Sequence, residues 1–129
     1  MMSPHDIAAC EQTSRLYIAD WECVWRVSGD GADPRRWLPA TPEADKINPW
    51  TLSITATNLL VTLPDVKQLA QFDSAGNELR RIHLPSHCVP RHAVQAASRV
   101  IIVSLANTEL DQDQVSFNVR NKFKSQRTH

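Results

Sequence analysis

Four side chains of metal-ligand type fall close together in the chain: His83, His87, Cys88 and His92. Imidazole and thiolate are the groups that hold zinc and related ions. Their spacing works against a shared site. Pro85 and Pro90 break any helix, so His83 and His87 cannot stand one turn apart on a helical face. No second cysteine pair supplies the other half of a zinc-finger pattern. A solvated loop is the simpler reading. A second cluster, Glu109, Asp111 and Asp113, is acidic in the manner of a calcium loop. That loop also needs a glycine and a closing glutamate at set positions, and both are missing. It reads as a polar hairpin loop. No glycine-rich phosphate loop, Gly-x-Ser-x-Gly elbow or His-Glu-x-x-His motif occurs. The sequence therefore assigns no catalytic residue, metal or cofactor.

Composition narrows the class. The 129 residues carry 14 basic and 14 acidic side chains, for a formal net charge of zero. That balance argues against a broad electrostatic grip on nucleic acid or anionic lipid. Hydrophobic residues make up 42 %, an ordinary globular fraction. No apolar run is long enough to span a bilayer as a helix. The N-terminus, from Met1 to Asp6, has neither a basic region nor an apolar core of the secretory kind. Cys10, Cys23 and Cys88 are three, so they cannot all pair within the chain. The reading is small, half-buried thiols in a reducing, cytoplasmic setting.

The elements that position these residues repeat. Three short apolar runs stand out: Leu16-Tyr17-Ile18-Ala19, Leu59-Leu60-Val61-Thr62 and Ile101-Ile102-Val103-Ser104. Their starts lie about 43 and about 42 residues apart, and their β-branched content is that of buried strands. Upstream of each sits a proline with an apolar residue three positions on: Pro4 with Ile7, Pro49 with Leu52, Pro90 with Ala93. Proline suits a strand's first residue or the one before it. Downstream, Val24-Trp25-Arg26-Val27-Ser28 matches Leu69-Ala70-Gln71-Phe72-Asp73. In the third copy Val115-Ser116 aligns with Val27-Ser28, and Gln112 falls where Val24 and Leu69 stood. All three glycines fall in Gly29-Asp30-Gly31 and Ser74-Ala75-Gly76-Asn77, which read as hairpin turns needing positive φ. Arg35-Arg36 and Arg80-Arg81 then recur on polar outer strands.

Each unit reads as four short strands in roughly 42 residues, the size of a β-propeller blade. The expectation is an all-β fold: an incomplete propeller of about three four-stranded antiparallel blades over residues 1–119. The blades span about 4–45, 49–87 and 90–119, followed by a basic C-terminal tail at 120–129. The competing architecture is a sandwich of roughly ten strands.

The first copy resembles the NHL-repeat propellers. Leu16-Tyr17-Ile18-Ala19-Asp20, then Val24-Trp25-Arg26-Val27-Ser28 and Gly29-Asp30-Gly31, is similar to that family's core pattern, and Pro4-x-x-Ile7 and Pro49-x-x-Leu52 resemble its blade-opening proline. Copies two and three lack the acidic residue that Asp20 supplies, and copy three lacks the turn glycine. The resemblance implies that Asp20 is a scaffold carboxylate ordering a turn. It also implies a recognition platform whose rim loops meet a partner. Trp21, Trp50, His87 and His92 are the candidate rim contacts, with a protein the expected partner and RNA a weaker one. Trp25 and Trp37 are expected to pack between blades. Two further readings stay open. One is a metal-dependent hydrolase or lactonase, with His5 and His92 the only inner-strand candidates for ligands. The other is a partial gene product without an independent role. Such propellers close at about six blades, roughly 250 residues. The chain thus reads as part of a longer one, or as one half of a homodimer.

Overall fold

Strands that are buried on both faces need apolar residues throughout, whereas strands with one wet face alternate. Both patterns occur here, and they sort the chain into three sheets. The computed structural model describes residues 4–29, 33–39, 47–97, 100–105, 114–118 and 125–128. The first sheet runs β1 (Asp6–Cys10), β2 (Arg15–Ala19), β3 (Val24–Ser28) and β4 (Arg35–Leu38). The second runs β5 (Thr51–Thr55), β6 (Asn58–Leu63), β7 (Gln68–Phe72) and β8 (Glu78–His83). The third runs β9 (Pro90–Ala97), β10 (Val100–Leu105), β11 (Gln114–Asn118) and β12 (Ser125–Thr128). Each is a four-stranded antiparallel meander in chain order, so the structure is an incomplete propeller of three blades rather than a two-layered sandwich.

The registers repeat with the sequence. Ile18 pairs Ile7 on one side and Trp25 on the other. Val61 likewise sits between Leu52 and Ala70, and Val103 between Ala93 and Val115. The third copy therefore aligns Val115 with Trp25, not with Val27, and Gln114 stands where Val24 and Leu69 stand. The reason is that β10 and β11 are separated by more residues than β6 and β7, which shifts the downstream register.

The blades stack face to face. Tyr17, Ala19, Val24 and Trp37 of the first pack on Leu52, Leu59, Val61, Ala70 and Phe72 of the second. Leu60 and Leu69, on the second sheet's other face, pack on Ala93, Ile101, Val103 and Leu105 of the third. β6 feeds both interfaces, so Leu59 to Leu63 are all buried. Polar links tie the inner strands together. The Leu52 N–H donates to Asp6 Oδ2 at 2.8 Å, and the Thr51 and Ser53 hydroxyls donate to the Arg91 and Ala93 carbonyls at 3.0 and 2.7 Å.

Three expectations change in detail. Gly76 has φ +91°, as a positive-φ turn requires, but Gly29 does not carry one and is there for space. A Cβ at Gly29 would lie 2.6 Å from the Ser14 carbonyl oxygen. Gly31 lies outside the described residues. Ser125–Thr128, read as part of a basic tail, form β12 and pair with β11 through Ser125–Phe117 and Thr128–Gln114. An outermost strand has little apolar area to bury, so its sequence gives little sign of it. Trp37 packs between blades one and two, whereas Trp25 lies on the first blade's outward face.

Gly29→Ala should lower stability by about 1–3 kcal/mol, since a rigid main-chain oxygen must move. Gly76→Ala should cost about 1–2 kcal/mol through its left-handed backbone. Urea midpoints at constant m-value would read both.

Candidate functional site

All three inner strands run in the same direction, so their first residues share one rim with the turns joining second to third strands. His5 and Trp50 hold equivalent places just before β1 and β5. Their N–H groups donate to the Ala19 and Thr62 carbonyls at 2.7 and 2.9 Å. Trp21 is in the turn between β2 and β3. These three rings meet. His5 stands edge-on to Trp21 with centroids 4.1 Å apart, and tilts against Trp50 at 4.8 Å. The two indoles are 6.4 Å apart. Yet Trp21 remains 53 % exposed and Trp50 40 % exposed. Two large aromatic rings held in place with their outer surfaces wet form an apolar platform at the seam of two blades.

Asp20 fixes one side of this platform. Its carboxylate is buried, and Oδ1 accepts the Glu22 and Cys23 N–H groups at 2.8 and 2.9 Å. Oδ2 accepts the Trp25 indole N–H at 2.6 Å. Burial alone would push this carboxyl up, but those donors outweigh it and hold its pKa below the usual carboxylate range. Burial, and then the Asp20 charge, push the Cys23 thiol up to about 11. Blade two solves the same turn differently. Pro64–Val66 form a single 3-10 turn, closed by Lys67 in the left-handed region with its N–H on the Pro64 carbonyl at 3.1 Å. The Asn48 amide reaches from the neighbouring connection to the Asp65 carboxylate.

Of the four rim residues expected from sequence, Trp21 and Trp50 are brought together. His87 is exposed in the connection between β8 and β9, one blade along. His92 is half-buried near the start of β9, opposite Ser104. His5, first considered only as a metal ligand, is the ring that joins the two tryptophans. The signal was available: it precedes its strand just as Trp50 does. His83 is drawn away to Gln68, with Nδ1 and Nε2 3.2 Å apart, while Cys88 is buried under the connection. Among the described residues, no three His, Cys, Asp or Glu side chains come together as a metal site. Glu109, Asp111 and Asp113 lie outside the described residues, as do Arg120, Lys122 and Lys124 of the basic segment. Arg36 and Arg81 are engaged within their own blades, by Glu22 at 3.8 Å and Glu78 at 2.5 Å. None of the three cysteines is in a disulfide, and all are buried.

Asp20→Ala strands three donors and should destabilise the chain by about 3 kcal/mol. A carboxylate with a depressed folded pKa stabilises above its unfolded value and loses that contribution as pH falls through the folded one. Wild-type stability should therefore drop below about pH 4 more steeply than that of Asp20→Asn, as thermal melts across pH would show. The Cys23 thiol, raised in the folded chain, contributes stability below its unfolded pKa near 9 that is lost as pH rises towards about 11. Cys23→Ala should flatten that alkaline limb.

Comparison with known proteins bears on the fold. No protein-family model matches the chain, and no curated protein does. Solved structures do. A chain of a nidogen/laminin complex superposes with a TM-score of 0.70 at 11 % identity, over 96 % of this chain and 47 % of that one. A streptogramin B lyase gives 0.67 at 12 % identity, over 92 % of this chain and 41 % of the lyase. The Dos1 propeller gives 0.64 at 11 % identity, over 96 % of this chain and 34 % of its own. The chain thus spans less than half the length of these structures. No helix among the described residues is long and apolar enough to cross a membrane. Identities this low speak for architecture alone, and the architecture they share with these three sheets is that of β-propeller blades.

Proposed function

We propose that the chain is a non-enzymatic propeller module of NHL-like type whose rim binds a protein partner. The observation that carries this reading is the His5–Trp21–Trp50 platform. Tryptophan is enriched at binding hot spots because it offers a large rigid apolar area at low entropic cost. Here two indoles are already oriented, Trp21 by its turn on Asp20 and Trp50 by its main-chain bond and the His5 ring. Exposed loops on a rigid sheet frame are also where binding residues concentrate. His87 and His92 extend the same rim towards the third blade.

Propellers of this architecture include a chain from a protein complex and a lyase, so fold alone does not choose between scaffold and enzyme. The aromatic platform favours the scaffold. It offers mainly shape and apolar area, and its one acid–base group, the His5 imidazole, is packed against both indoles.

The test is affinity capture of partners with wild type, Trp21→Ala, Trp50→Ala and His87→Ala, with and without ribonuclease. A captured protein should bind at least 10-fold more weakly to either tryptophan variant, equivalent to ~1.4 kcal/mol, with the chain's melting curve little changed. His87→Ala should have a smaller effect. Capture that survives both tryptophan replacements removes the platform from the account. Capture that vanishes with ribonuclease makes RNA the partner instead.

A further inference from the structure

The first blade's outward face is built like the faces that the other blades bury. We propose that it is an interblade interface, and that its occupant is the third blade of a second copy of this chain. Two arcs would thereby close into one six-bladed ring.

Register identifies the face. Ile7, Ala9, Leu16, Ile18, Trp25 and Val27 hold the repeat positions of Leu52, Ile54, Leu59, Val61, Ala70 and Phe72. Every one of the second group packs on the blade before it. The first group is equally apolar, and among the described residues no blade packs on it, although Ile18 is buried and the Arg36 guanidinium lies over the Trp25 ring. Ile7 is consequently 56 % exposed where Leu52 is 4 % exposed. Leu16 and Val27 are half-buried where Leu59 and Phe72 are buried. At one end of this face an open depression of about 520 Å³ is lined by Ala9, Leu16 and Val27 together with Glu11, Ser14 and Arg15. A wet-facing sheet alternates apolar with polar residues. On this face, three adjacent strands present apolar residues in register.

The far end of the arc carries the complementary half. Val94 and Ile102 hold the repeat positions of Ser53 and Leu60. Leu60 is 1 % exposed under the third blade, whereas Val94 is 40 % exposed and Ile102 only half-buried. The two ends are thus the two sides of one kind of contact, which the chain already makes twice internally. A surface that fits its own opposite end builds a head-to-tail contact, which closes if the rotation allows and otherwise forms filaments. Closed propellers have about four to eight blades. The three blades of the described residues reach a closed number with two copies, and a two-fold axis along the channel makes both junctions alike.

Sedimentation equilibrium on the 129-residue chain should give twice 14.5 kDa at micromolar concentration. Ile7→Asp at one end and Val94→Asp at the other should each weaken association at least 10-fold. Leu79→Asp, exposed on the middle blade's outer strand, should leave it unchanged. Both end residues are exposed in the single chain, so far-UV dichroism should be preserved; if Ile7→Asp unfolds, Ala9→Arg on the same face replaces it. A monomer throughout, a mass other than two chains, or a dimer indifferent to either end variant overturns the proposal.

Discussion

A four-stranded sheet of five-residue strands cannot hide its apolar side chains by itself. Here each is hidden by a neighbouring sheet, and the two resulting interfaces supply almost all the buried apolar residues among those described. Burial of this kind is non-directional and scales with area. The directional parts are few: a carboxylate at Asp20, Asx-type bonding at Asp73 and hydroxyls on the inner strands. The two carboxylates shape turns within their own blades, while the hydroxyls reach across to the next sheet. The rim platform follows from that arrangement, because two of its rings belong to one blade and one to the next.

The seam between blades one and two shows how the constraint acts. Gly76 brings the turn of the second blade close to the Trp37 indole, with an added Cβ 3.5 Å from its Nε1. The Arg26 guanidinium lies 5.5 Å from the same ring, and Arg15 donates to the Ser74 carbonyl at 3.1 Å. Asp73 holds that turn in shape by accepting the Ala75 and Asn77 N–H groups. A glycine, an aspartate and two arginines far apart in sequence thus dock one hairpin onto the neighbouring sheet.

The sequence was most readable in its three apolar runs. Leu16–Ala19, Leu59–Thr62 and Ile101–Ser104 became β2, β6 and β10, the second strand of each sheet; β6 has a blade on both faces, whereas β2 and β10 each pack on one. Their spacing revealed three blades. Outer strands were less readable, and β12 was missed, since Ser125 to Thr128 carry no apolar mark. The alignment of β11 slipped by two because a longer connection precedes it, and loop length leaves no periodic trace. At the rim, Trp21 and Trp50 could be named individually, but not as a pair. What joins them is His5, whose role depends on two blades meeting at an angle that no local pattern encodes. Gly29 was legible as a turn residue and misread in its reason, because crowding by Ser14 is a contact between strands rather than a property of the turn.

The inner-strand links have a mechanical consequence. Asp6 to Leu52, Thr51 to Arg91 and Ser53 to Ala93 lie along the narrow edge where the vanes converge, whereas the outer strands β4 and β8 carry ion pairs near the surface. Hydrogen bonds between neighbouring inner strands therefore tie the blades at the hub, and the Trp37–Arg15–Ser74 contact ties blades one and two further out. On this ground amide deuteration is expected to reach the outer strands before the inner ones.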